Sequence, residues 1–435
     1  MRKPRNSNFL ICNREVAALQ YSLTELIDRS DIAIVGAGQA ALQTISSLKS
    51  GGFDGTVTLV GDEAYLPYQR PPLSKKFLNG TFERDRLFLK PYNFYTDNDI
   101  NIMLETQVTE MDVAAKSLTC ANGGTVGFSK AVICTGSRPR TLPIPGHGLE
   151  NIFNLRTIAD IEAMRPHFKQ GAKMEVVGGG YIGLETAASA RQLGVEVTVV
   201  EAAERVLARV TKPELSAFFH QLHLDRGVEI ITGAQVSGFA GETHVSGVTL
   251  NDGTLVPANL VVLGIGIVPN TELAEAAGLT IDDGIVVDAL GRTSHSDIYA
   301  AGDCTNHPND LLDRRLRLES VPNAIDQGKA VASDILGTPV AYTAVPWFWS
   351  DQYETKLQIA GLSDTADSLC LRGSYESGSF AIFHFAGTQL VCVEAVNRPA
   401  EFMASRQLIK EAAGGRVYQT DMLLDESVKP KSWLA

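Results

Sequence analysis

The sequence predicts an α/β protein with two Rossmann-like dinucleotide-binding domains and a smaller C-terminal α+β domain. Three observations predict it. A strand, glycine turn, helix and strand succeed one another twice within 435 residues, each such unit is followed by an apolar strand that stops at a glycine, and the end of the chain changes to two-residue alternation. At about 150 residues per domain, this length holds two to three domains. With 44% hydrophobic and 20% charged residues, the chain can bury a large core, which excludes wholesale disorder.

Residues 1–30 are read as an N-terminal extension. Their start, MRKPRNSNFLIC, sets basic residues before a short apolar run without a small-residue cleavage site, so no secretory signal is expected. Within them EVAALQYSLTELIDR fits one amphipathic helix with no chemistry of its own. From Asp31, DIAIVGAGQAALQTISSLKSGGFDGTVTLVGDE reads as the first βαβ unit, and KAVICTGSRPRTLPIPG (130–146) as a strand that stops at Gly136 and enters a Pro-rich connector. The second unit, MEVVGGGYIGLETAASARQLGVEVTVVEA, starts at Met174 and sets Gly178 142 positions after Gly36. Each copy is expected to head its own parallel sheet with a right-handed crossover. LVVLGIGIVPN (260–270) then mirrors the strand at 130, and GIVVDALGRTSHSDIYAAGDC resumes the first domain. The predicted organisation is a discontinuous first dinucleotide-binding domain over 31–145 and 268–345, a second over 146–267 and a C-terminal domain over 346–435. In the last, KLQIAGL, SFAIFHF and QLVCVEAV read as antiparallel strands before a helix around Phe402 to Ala413.

Charge and cysteine usage remove other function classes. Lys and Arg total 38 against 50 Asp and Glu, a net charge of −12, so neither nucleic acid nor an anionic membrane is an expected partner. No run approaches the roughly 18 apolar residues of a spanning helix, and a cytoplasmic location is expected. The cysteines, Cys12, Cys120, Cys134, Cys304, Cys370 and Cys392, lie too far apart for a CxxC pair or a zinc ribbon and are read as small buried hydrophobes. His220 and His223 stand at i, i+3 with no acid or cysteine to complete a metal set, so no metal is expected. Neither GxSxG nor HExxH occurs, which leaves hydrolases without support.

The glycine turns carry the chemistry. In the first, Gly36 makes the tight turn, Gly38 lets backbone amides approach a pyrophosphate, and Ala41 permits close helix–strand packing. The acid that would hydrogen-bond a ribose is Asp62, with Glu63 second. In the second turn Gly178, Gly180 and Gly183 play the same parts and Glu201 ends the strand. A carboxylate there accepts from ribose hydroxyls and repels a 2′-phosphate, and Ala202 and Ala203 follow it where an arginine would welcome one, so NADH is favoured over NADPH although Arg205 is near. Two dinucleotide sites imply a flavin on one and a nicotinamide on the other. Asp303, in the Ala-Gly-Asp turn, suits a flavin's ribityl and phosphate.

The motifs YQRPPLSK (68–75), TGSRPR (135–140), GGGYIGLE (178–185), EAAERVLAR (201–209), YAAGDC (299–304), RLESVPNA (317–324) and PWFWSDQY (346–353) resemble the FAD-dependent ferredoxin reductases of the putidaredoxin reductase type, which serve bacterial monooxygenases and Rieske dioxygenases. The resemblance covers about residues 31–420 and implies a glutathione-reductase-like architecture. It implies bound FAD, NADH as substrate, and a small two-iron ferredoxin as partner. It further implies that Lys75 lies by the flavin ring, that Glu185 lies on the nicotinamide side and pairs with Lys75, and that Arg70, Arg138, Asp303 and Trp347 surround FAD. The chain has Ser137 where many relatives carry alanine, and Pro322 where many carry glutamine. An NADH oxidase, a monodehydroascorbate-type reductase and a flavin redox sensor of the apoptosis-inducing-factor kind are the alternatives. For the ferredoxin, Arg314, Arg315 and Arg317, with Lys356 and Lys410, are expected to form a basic docking patch, against the alternative that acids such as Asp313 and Glu319 neutralise it.

Overall fold

The structure, a computed structural model, describes residues 27–434. The segment 15–26 of the expected N-terminal helix lies outside the described residues. Its last three residues, Ile27, Asp28 and Arg29, open a strand instead. The reason is the long partner strand alongside, where Ile27 aligns with Val126 and Ser30 with Phe128 across a local register shift.

The described residues form two compact units. The first comprises 27–68, Phe88–Ser137 and Pro269–Ala344; the second comprises Gln69–Leu87, Arg138–Val268 and 345–434. The first unit begins with β1 (Ile27–Val35), α1 (Gln39–Ser50), β2 (Val57–Val60) and β3 (Ile100–Met103), then β4 (Val108–Asp112), β5 (Ser117–Cys120) and β6 (Thr125–Ile133). They lie in one sheet of order β3-β2-β1-β6-β5-β4, with Ile298–Ala300 joined to β6. The pairs β3–β2–β1–β6 are parallel, and β6–β5–β4 turn back antiparallel. The central strands read as unbroken apolar runs because both their faces are covered. On one face Ile32, Ile34, Leu59 and Val132 pack with α1, whose Ala41, Ile45 and Leu48 form its buried stripe. Helix Val321–Ile335 packs on α1 so closely that a Cβ on Gly328 would stand 2.9 Å from the Ala40 carbonyl oxygen. Ser320 caps that helix, its Oγ accepting from the Asn323 amide. Pro322 is tolerated in the first turn, where an amide N–H has no partner within the helix.

The second unit carries β7 (Ile152–Asn154), β8 (Lys173–Val177), α2 (Tyr181–Gln192), β9 (Glu196–Glu201), α3 (Pro213–Asp225), β10 (Glu229–Thr232) and β11 (Leu260–Leu263). The sheet is parallel throughout, in the order β10-β9-β8-β11-β7. The tail supplies β12 (Trp347–Gln352), β13 (Thr355–Gly361), β14 (Ser368–Ser374), β15 (Ser379–Ala386) and β16 (Gln389–Val396), then α4 (Pro399–Ala413). These strands form an antiparallel sheet of order β12-β13-β16-β15-β14.

The boundaries of the units differ from the domain limits read from the sequence. The tail shares one core with the parallel sheet: Val176, Val199 and Phe219 lie in the same apolar cluster as Leu357, Phe380 and Val396, and Phe218 meets Phe380 edge-on with 4.9 Å between ring centres. Residues 69–87 also belong here, because Ser74 and Lys75 find their polar partners on α2. Among the described residues no helix is long and apolar enough to cross a membrane.

Candidate functional site

The first glycine turn follows β1. The Gly36 amide donates to the Val60 carbonyl at 2.8 Å, which closes the turn over β2. Gly36 has φ of +102°, and a Cβ there would stand 2.3 Å from the Cys134 carbonyl oxygen, so only glycine fits. Gly38 is the N-cap of α1 with no side-chain capping bond, and a Cβ there would meet nothing within 4 Å. The first amides of α1 therefore face open space at the positive end of the helix, a ready anion site. Ala41 is fully buried beneath the helix, as its packing role requires.

At the end of β2, Asp62 is exposed, whereas Glu63 is half-buried and accepts from the Tyr68 hydroxyl at 2.5 Å. Gly302 sits against α1, where a Cβ would lie 3.3 Å from the Ala40 methyl, and this brings the Asp303 turn beside the first glycine turn. Ser137 Oγ donates to Asp303 Oδ2 at 2.9 Å, so Ser137 orients this carboxylate. Gln327 Oε1 accepts from the Gly302 amide at 2.6 Å, but Gln327 Nε2 and Asn323 Oδ1 are buried with no hydrogen-bond partner among the described residues. An open helix N-terminus beside orphaned buried polar atoms fits the pyrophosphate and polar edges of FAD.

The second turn is built alike. Gly178 has φ of +107°, Gly180 is the uncapped N-cap of α2, and a Cβ on Gly183 would strike the Gly178 carbonyl oxygen at 2.1 Å. Glu201 closes the site from the end of β9, its carboxylate accepting from the Gly179 amide at 2.6 Å and the Ala203 amide at 2.8 Å. Arg205 is engaged elsewhere: its Nη2 donates to the carbonyls of Ala208 and Thr211.

Lys75 and Glu185 meet. Lys75 Nζ donates to Glu185 Oε2 at 2.6 Å, with the carboxylate side chain 1% exposed. Ser74 Oγ donates to the same oxygen and Ser350 Oγ to Oε1, each at 2.6 Å. The placement follows from two repeats that match. Two residues along a strand advance about 6.7 Å and four along a helix about 6 Å, so Phe348 and Ser350 of β12 align with Tyr181 and Glu185 of α2. Phe348 lies 4.7 Å from Tyr181, ring centre to ring centre. Trp347, on the other face of β12, packs against Trp349 and Phe402, with Arg406 over its ring. Arg70 Nη1 donates to the Arg156 carbonyl at 2.7 Å, and Arg138 is exposed. Sequence reasoning missed Ser74, Ser350 and Gln352; the available signal for the last two was the change from aromatic to polar residues halfway along β12, WFWSDQ, and Ser74 carried none beyond its place before Lys75.

Other expectations resolve as follows. Cys120, Cys134, Cys304 and Cys392 are buried, Cys370 is half-buried, and all five are free thiols, while Cys12 lies outside the described residues. Burial raises the thiols of Cys134 and Cys392 well above the ordinary range and pushes Cys304 to about 11, which disfavours thiolate chemistry. His223 is fully buried and burial lowers it to about 4. Within the basic run, Arg317 meets acids. Arg315 donates to Asn306 and to the Val287 carbonyl, and Arg317 pairs with Asp283 and Glu319, so both guanidinium groups serve the unit's own structure. Asp283, far away in sequence, takes the place expected for Asp313.

Two uncapped glycine-turn helices, one acid-closed and one beside orphaned polar groups, define a pyridine-nucleotide-linked flavoprotein oxidoreductase. The family model for pyridine nucleotide-disulphide oxidoreductases matches residues 30–328, and that for the reductase C-terminal domain matches 347–434. The chain is 43% identical over 380 residues to a rhodocoxin reductase of Rhodococcus erythropolis, covering 87% of this chain and 89% of that protein. It is 40% identical over 411 residues to a putidaredoxin reductase of Pseudomonas putida, covering 93% and 97%. Among solved structures, the covalent putidaredoxin reductase–putidaredoxin complex matches with a TM-score of 0.90 and 40% identity, over 94% of this chain and 99% of that one. The chain belongs to the FAD-dependent ferredoxin reductases, as its motifs led one to expect, and FAD and NADH are the cofactor and substrate of the family.

Proposed function

We propose that this protein carries electrons from NADH through FAD to a small two-iron ferredoxin that supplies an oxygenase. One observation carries the reading: two separate glycine-turn sites, with free, buried or half-buried cysteines among the described residues, suit a nicotinamide-to-flavin route that needs no redox thiol. When bound, FAD accepts a hydride as an electron pair and gives electrons up singly, the conversion needed between NADH and an iron–sulfur carrier. Gly36, Gly38 and Ala41 hold the FAD pyrophosphate, with Glu63, better held than Asp62, on the ribose and Asp303 on the polar chain. Gly178, Gly180 and Gly183 hold NADH, and Glu201 selects it over NADPH. Arg70, Lys75, Arg138, Glu185 and Trp347 serve the flavin as the family resemblance implies, and the protein works in the cytoplasm, where NADH is supplied.

Stopped-flow absorbance of the purified yellow protein tests this. NADH should bleach the flavin rapidly, NADPH much more slowly, and a two-iron ferredoxin should restore the oxidised spectrum faster than oxygen does. A slow reduction that leaves an oxygen-stable reduced state would instead describe a sensor.

A further inference from the structure

Beyond the Lys75–Glu185 pair, buried polar groups continue in an unbroken line. Gln352 Nε2 lies 3.2 Å from Ser350 Oγ, Gln352 Oε1 lies 2.8 Å from His223 Nε2, and His223 Nδ1 lies 3.4 Å from the Tyr353 hydroxyl. Ser350, Gln352 and His223 are each 0% exposed. Such a run needs a reason, because an apolar strand face would bury at less cost.

The direction of every bond follows from the carboxylate. Glu185 accepts from Lys75 and Ser74 on one oxygen and from Ser350 on the other, so Ser350 spends its hydroxyl hydrogen on Glu185 and can only accept from Gln352. Gln352 therefore turns its amide nitrogen to Ser350 and its oxygen to His223, and His223 must donate from Nε2. Burial keeps this ring neutral, with His220 adding to the effect, so it holds a single hydrogen and leaves Nδ1 to accept from Tyr353. The Arg226 guanidinium lies over the Tyr353 ring at the outer end.

The geometry points to Ser350 and Gln352 as positioning residues. They carry a one-directional chain of hydrogen bonds from Tyr353 and His223 to Glu185 and so fix the carboxylate that holds the Lys75 ammonium. This rests on the reading that Lys75 and Glu185 serve the flavin. Without the chain, the carboxylate keeps Lys75 and Ser74 on one oxygen but can rotate about that contact, and the ammonium moves with it.

The test uses the FAD-loaded full chain and four variants. Ser350→Ala should slow flavin reduction by NADH about tenfold, the worth of one hydrogen bond to a charged group, and should shift the flavin midpoint potential in the same direction as Lys75→Ala. Ser350→Thr, which keeps the hydroxyl, should restore both; Gln352→Met, which takes away only the donor to Ser350, should shift both in the same direction by a smaller factor, and it serves as the readout if the threonine is too large to fold. Independently of flavin, nitrogen-15 histidine spectra of the wild type should show His223 as the neutral Nε2–H tautomer. The Nδ1–H tautomer, or wild-type potential and kinetics in Ser350→Ala while Lys75→Ala alters them, would overturn the chain alone. Wild-type behaviour of Lys75→Ala would overturn the underlying reading of the pair, and the proposal with it.

Discussion

Glu175 offers the sharpest test of how the second unit is held together. It sits on β8, on the strand face opposite Met174 and Val176, fully buried, with both carboxylate oxygens lacking a hydrogen-bond partner among the described residues. Burial first, and the charge of Glu229 second, push it from 4.5 up to about 9. Between those values the folded protein keeps a proton that the unfolded chain has released. Stability from this group is therefore full below 4.5, falls as pH rises, and levels off above about 9. The slope is about 1.4 kcal/mol per pH unit, so the loss reaches roughly 3 kcal/mol at about pH 7. Glu175→Met keeps the length and removes the titration. Thermal unfolding of both proteins between about pH 5 and pH 9 should show the variant gaining on the wild type by roughly 6–12 °C by about pH 7, at 2–4 °C per kcal/mol for a body this size. Background titrations cancel in the difference, so a gap in Tm that stays constant over this range would refute the reasoning.

Gly38→Val should abolish FAD retention while leaving the fold intact, since a side chain there enters open space needed by the pyrophosphate; Gly36→Ala, 2.3 Å from a backbone oxygen, should instead lower Tm or prevent folding, and flavin absorbance with circular dichroism separates the two. Replacing Glu201 with Gln and Ala202 with Arg should raise kcat/KM for NADPH relative to NADH, by removing a repelling charge and supplying a phosphate partner; an unchanged ratio would count against Glu201. Arg372, 3% exposed, donates to Glu401 and to the carbonyls of Leu423, Asp425 and Val428, so Arg372→Met should cost about 3–5 kcal/mol and expose the terminal segment to limited proteolysis.

Local features of the chain determined much of this protein. The two glycine turns, the strands around them and the acid at Glu201 are set by neighbours within about thirty positions, and their steric demands are written in residue type: glycine where φ is positive, alanine where helix meets strand. Antiparallel alternation in the tail was legible for the same reason. Tertiary structure alone decided what joins distant segments. That the tail condenses onto the parallel sheet depends on Phe218 meeting Phe380, and nothing in either local pattern marks the pairing. That Arg315 and Arg317 are tied down depends on Val287, Asn306 and Asp283, reached only by folding. The buried line from Tyr353 to Glu185 joins three elements whose polar residues, read singly, resemble surface positions. A hydrogen bond is directional and short in range, so only a fold that brings β12, α2 and α3 together converts those residues into one chain.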